Sequence, residues 1–112
     1  MTALNRGDIC LVDFNPAKGG EIGKLRPAVI MSTKEEIEVL DTVIVIPLST
    51  VIEKNTKPYR RLLEKRENLH QNSDACVYEI RALSKKRIKK KIAQVTSSEL
   101  ADLQKCLCEL LG

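Results

Sequence analysis

The chain has 112 residues, which suits one domain and is too short for two ordinary ones. With 43% hydrophobic and 30% charged residues it is neither disordered nor short of a core, so disulfides are not needed to hold it together. Its 19 Lys and Arg against 15 Asp and Glu give a net charge of +4, concentrated in the second half, where Arg81–Lys91 contains basic side chains and no acid.

Ile9–Phe14 reads as a strand opened by Arg6-Gly7-Asp8. Asn15–Leu25 holds Pro16, Gly19, Gly20 and Gly23 and reads as a flexible loop. Pro27 keeps Arg26 extended and starts a second strand over Ala28–Met31. Lys34–Val39 is either one helical turn or a loop. Thr42–Leu48 is an apolar, β-branched run that predicts a strand buried on both faces, with Pro47 at its end or at an edge. Tyr59–Leu63 is a weaker strand, Arg66–Asp74 a polar loop, and Ala75–Leu83 one longer strand. Ser84–Lys90 reads as a basic turn and Ile92–Val95 as a short strand.

The C-terminal helix has the clearest signal. Thr96-Ser97-Ser98-Glu99 is a capping box, and Leu100, Leu103, Leu107, Leu110 and Leu111 follow at helical spacing. Short strands separated by turns, followed by one helix, predict a mainly β domain spanning 1–112, a small barrel or sandwich.

Cys10, Cys76, Cys106 and Cys108 form no C-x-x-C pair, and His70 is the only histidine, so a structural zinc site is not expected. Four reduced, mostly buried thiols suit a cytoplasmic protein. Met1–Asp8 lacks the apolar core of a signal peptide, and no apolar run approaches a membrane span. The basic second half suits a polyanion partner or, equally, a solvated basic face.

Candidate chemistry sits where strands meet loops. Arg26 lies at the junction of a Gly-rich loop and a strand; Ser49 and Thr50 lie where the most buried strand stops. An arginine there can grip a phosphate and a hydroxyl can donate to its oxygen. Pattern alone favours the plainer reading, a surface ion pair and a simple turn. No G-x-S-x-G elbow or G-x-x-x-x-G-K-[ST] loop is present. With Phe14, Tyr59 and Tyr78 the only aromatics, stacking platforms are scarce.

Arg6-Gly7-Asp8-Ile9, Val12-Asp13-Phe14-Asn15-Pro16, Gly19-Gly20-Glu21 and Arg26-Pro27-Ala28-Val29 together resemble the N-terminal signature of the MazF/PemK-type toxins of bacterial toxin–antitoxin systems. The likeness continues through Val45–Thr50, Ile80-Arg81-Ala82-Leu83 and Lys86-Arg87-Ile88 to the C-terminal helix. It implies a small SH3-like β-barrel with a C-terminal helix, working as a homodimer. It further implies sequence-specific cleavage of single-stranded RNA without a metal or other cofactor, leaving a 2′,3′-cyclic phosphate and a 5′-hydroxyl, and neutralisation by a MazE-like antitoxin. The family's key arginine falls on Arg26 and its active-site hydroxyl on Ser49, with Thr50 beside it. Lys18, Lys24, Glu79, Arg81, Lys85, Lys86 and Arg87 are the expected RNA-binding set. Tyr78 stands where some relatives carry an acid, and Cys76 where some carry an arginine. A related family of the same fold poisons DNA gyrase and cuts no RNA, which is the alternative; a non-catalytic RNA-binding barrel is a third reading.

Overall fold

A computed structural model describes residues 3–14 and 25–112. The elements are β1 (Asp8–Asp13), β2 (Leu25–Ile30), α1 (Lys34–Val39), β3 (Thr42–Ser49), β4 (Arg60–Leu63), β5 (Ser73–Cys76), β6 (Arg81–Ser84), β7 (Ile88–Gln94) and α2 (Ser97–Leu111). Two short 3-10 turns, Val77–Glu79 and Lys85–Arg87, flank β6. All strand pairs are antiparallel, in the order β4-β5-β3-β2-β1-β7, with β6 also on β3. Among the described residues the outer strands β4 and β7 do not pair, so the sheet curls like a barrel without closing.

Alternation along the strands creates two cores, one on each face. Ile9, Val29, Ile46, Leu48 and Ala75 pack on one face with Leu103 and Cys106 of α2. Cys10, Val12, Ala28, Ile30, Val43 and Val45 pack on the other, with Ile37 of α1. Both helices start at complete capping boxes: Thr33 with Glu36, and Thr96 with Glu99. The first of these settles Lys34–Val39 as helical, one of the two alternatives read from the sequence. Leu103 is fully buried, which contributes about 1.5–3 kcal/mol. Leu111 belongs to the predicted apolar face of α2 but is 81% exposed.

Gly7 fixes the start of β1. Its φ is +93°, its amide donates to the Ile30 carbonyl at 2.7 Å, and its carbonyl accepts from Val95 at 2.9 Å. A Cβ there would lie 3.3 Å from a Val95 methyl, in a left-handed conformation that L residues rarely adopt.

The expected single strand over Ala75–Leu83 is broken. β5 pairs with the end of β3 and β6 with its beginning, and the two pairings are offset in register. The 3 residues of the Val77–Glu79 turn take up that offset. The predicted basic turn Ser84–Lys90 shrinks to Lys85–Arg87, because β7 starts at Ile88, earlier than the expected Ile92. Pro47 lies inside β3, opposite Ala28, at the last recorded pair before β3 leaves β2 for β5. A residue without an N–H suits that handover.

Candidate active site

Arg26 sits on β2 opposite Val12 of β1. Pairing between β2 and β3 runs through Ile30–Val45, Val29–Ile46 and Ala28–Pro47. Continued two residues beyond its last pair, that register would set Arg26 level with Ser49; strand alternation puts both on the face that carries Ala28, Ile30 and Val45. The side chain of Arg26 is exposed, and Ser49 is half-buried. The β2–β3 ladder itself ends at Ala28–Pro47, before this position.

The same face gathers further cations. Arg81 pairs with Val45, and its guanidinium stacks 4.5 Å from the centroid of the Phe14 ring. Arg87 donates to the Asp13 carbonyl at 3.1 Å. Phe14 is only partly buried and packs at the rim of the second core. Lys86 is exposed. Lys85 spends its ammonium on the Ile37 carbonyl at 2.6 Å, tying β6 to the end of α1. Glu79 is exposed in the first 3-10 turn. Lys18 and Lys24 lie outside the described residues, as does most of the loop predicted over Asn15–Leu25.

Thr50 goes elsewhere. It is exposed and lines a cleft of about 450 Å³ with Pro27, His70, Ser73 and Lys90, a lining that includes neither Arg26 nor Ser49. Neighbouring residues at a strand end point to different sides, which separates the two hydroxyls.

Residues not singled out from the sequence complete the Ser49 neighbourhood. Ser49 Oγ accepts from the Val51 amide at 3.1 Å, and the Val51 carbonyl accepts from Arg60 Nη1 at 2.8 Å. Arg60 Nη1 also donates to Asp74 Oδ2 at 3.1 Å, and that oxygen accepts from the Glu53 amide at 2.9 Å. Asp74 is 2% and Arg60 11% exposed. The turn carrying Ser49 is thus pinned from both sides by a largely buried ion pair. Burial opposes the Arg60 charge, but hydrogen bonds to Tyr78 and Asp74 outweigh it and hold the guanidinium more firmly protonated than usual. One local signal was available: Asp74 is a lone carboxylate in the otherwise small or apolar stretch Ser73–Val77.

Cys10, Cys76 and Cys106 are buried, Cys108 is exposed, and all four are free. Burial, reinforced by Asp8, pushes the Cys10 thiol up to about 11. Among the described residues no three His, Cys, Asp or Glu side chains group as metal ligands. Among the described residues no helix is long and apolar enough to cross a membrane.

Comparison with known proteins places this arrangement. The family model described as PemK-like, MazF-like toxin of type II toxin–antitoxin system matches residues 5–111. A curated relative, Endoribonuclease MazF of Staphylococcus epidermidis, is 33% identical over 110 residues, covering 97% of this chain and 92% of that protein. The fold matches the crystal structure of MazE-MazF (Form-II) from Deinococcus radiodurans with a TM-score of 0.82 at 22% identity, over 100% of this chain and 98% of that one. It also matches an endoribonuclease from a Mycobacterial species, with a TM-score of 0.76 at 20% identity, over 100% and 94% of the two chains.

Proposed function

Because this chain belongs to the PemK-like, MazF-like toxins of type II toxin–antitoxin systems, we propose that it is an endoribonuclease that cuts single-stranded RNA on the face shared by Arg26 and Ser49. The observation that carries this reading is the β2–β3 ladder: continued two residues past its last pair, Ala28–Pro47, its register sets Arg26 level with Ser49, on the face that also carries Arg81.

RNA supplies its own nucleophile, the 2′-hydroxyl. Its attack on the adjacent phosphorus expels the 5′-oxygen and leaves a 2′,3′-cyclic phosphate and a 5′-hydroxyl. The protein has to align the two oxygens, move two protons and stabilise the charge that builds on phosphorus. A metal is not required for any of these steps. Arg26 stabilises the charge, because a guanidinium presents several donors and stays protonated. Its ordinary pKa above 12 makes it a poor base, so its second task is proton donation to the leaving oxygen. Ser49 Oγ already accepts the Val51 amide, which leaves its hydroxyl proton free to donate to a nonbridging oxygen. Thr50 supports the next turn of the strand. Arg81, Lys86 and Arg87 hold the flanking phosphates; Lys18, Lys24, Glu79 and Lys85 are the remaining members of the RNA-binding set expected from the sequence, although Lys85 is engaged by the Ile37 carbonyl.

The comparison with a MazE-MazF complex supports neutralisation by a MazE-like antitoxin; the homodimer is what the family resemblance implies. Nothing in the structure favours the gyrase-poison alternative. A defined RNA incubated with the protein should yield discrete fragments ending in cyclic phosphate, and Arg26→Ala should abolish them. Intact RNA with the wild-type protein would overturn the proposal.

A further inference from the structure

The only two tyrosines of the chain, Tyr59 and Tyr78, line one cleft of about 340 Å³ with Glu53, Thr56 and Arg60. They are 54% and 52% exposed, although each carries a large ring that would ordinarily seek cover. The backbone holds them together, since the Tyr78 amide donates to the Tyr59 carbonyl at 3.3 Å. The cleft adjoins the scissile position through Arg60, which touches the Val51 carbonyl while the Val51 amide touches Ser49.

The charges in the cleft decide what fits. The Arg60 guanidinium is already matched by Asp74 at 3.1 Å and Glu53 at 3.4 Å. Two carboxylates around one guanidinium leave no surplus positive charge, so the cleft is not a phosphate site. Its aromatic walls suit a flat, neutral ring system, and its rim offers an acceptor, the 55% exposed carboxylate of Glu53. Among the bases only guanine carries two adjacent N–H donors on its Watson–Crick edge, a match for the two oxygens of a carboxylate. Uracil carries one donor between two carbonyls, which a carboxylate repels.

We propose that the Tyr59–Tyr78 cleft is a specificity subsite that receives one unpaired guanine of the RNA, stacked on tyrosine and read at its edge by Glu53. The inference rests on the nuclease reading for its context, but its binding step is measured without turnover. With two tyrosines and one phenylalanine in the chain, the tyrosine ring resonances are readily assigned. Titration of the full-length protein with guanosine 5′-monophosphate should shift both sets of ring protons upfield and saturably. Uridine 5′-monophosphate should shift them far less, and Glu53→Gln should erase the difference. In cleavage of a single-stranded oligonucleotide, Tyr59→Ala should raise KM about tenfold, the scale of one lost base stack, with kcat little changed. Tyr78→Phe should keep the stack and the KM. Tyrosine rings unmoved by either nucleotide, or moved equally by both, would overturn the subsite while leaving the nuclease intact. Guanine-selective shifts without any RNA cleavage would overturn the nuclease reading and keep the subsite.

Discussion

Ser49 and Asp74 are directly opposed across the antiparallel β3–β5 pair. The half-buried hydroxyl and the buried carboxylate therefore belong to one row of side chains, linked through Arg60 and the Val51 peptide. Asp74→Ala would leave the Arg60 charge without its buried partner, at a cost of about 3 kcal/mol. Urea unfolding should show that loss. Cleavage by the variant should fall in kcat rather than in KM, because the change loosens the turn that carries Ser49. Asp74→Asn, which keeps a hydrogen-bond acceptor, should be intermediate in both.

The Arg26 side chain makes no ion pair or hydrogen bond among the described residues and is exposed, so its removal should not disturb folding. Arg26→Ala should lose about 3–4 kcal/mol of transition-state stabilisation, several hundredfold in rate, with an unchanged melting temperature. Arg26→Lys should recover a small part, since an ammonium keeps the charge but not the fork. A single-turnover cleavage assay and a thermal melt on the same samples check both halves.

Ser49→Ala should lower the rate by about tenfold or more, and Ser49→Thr should retain most of it, because the hydroxyl is what matters. Thr50→Ala should have the smaller effect, since Thr50 lines the neighbouring cleft. Equal losses for the two alanine variants would place Thr50 in the same site as Ser49.

Arg66 and Glu99 join the loop after β4 to the start of α2 through a two-pronged ion pair, with one contact at 2.7 Å. The Arg66 hydrogen bonds hold Glu99 down to about 2, below its ordinary 4.5. A carboxyl depressed in the folded state stabilises it above the unfolded value and loses that contribution as pH falls from about 4.5 toward 2. Discounted for its partial exposure, the contribution is about 1–2 kcal/mol. Glu99→Gln should therefore unfold more easily than wild type at pH 7, and the gap should close as the pH approaches 2. Chemical denaturation across that range is the measurement.

Cys108 is the one exposed thiol of the four, two positions along α2 from buried Cys106. A thiol reagent should label one cysteine quickly in the native protein and four in denaturant. Fast labelling of Cys106 would mean that α2 is not seated on the sheet as described.

Wherever the information was local, the sequence carried it. The Thr96–Glu99 capping box, the leucine spacing of α2, the β-branched run of β3 and the Gly7 turn are each specified by residues within one or two turns of chain. Opposite positions for Cys106 and Cys108 followed from the helical period alone. The break at Val77–Glu79 did not, because Ala75–Leu83 has one continuous apolar pattern; only the register difference between the two halves of β3 forces the turn. The pairing of Arg60 with Asp74 was unreadable for a related reason. Two polar residues 14 positions apart give no periodic signal, and their pairing exists only once β4, β5 and the Ser49 turn are stacked. The sequence by itself determined the strand-rich domain, its capped helix and its kinship, since short-range patterns and ordered motifs encode these. Tertiary structure alone decided which side chains share a face, because a sheet's register, not chain distance, sets what stands opposite a given residue.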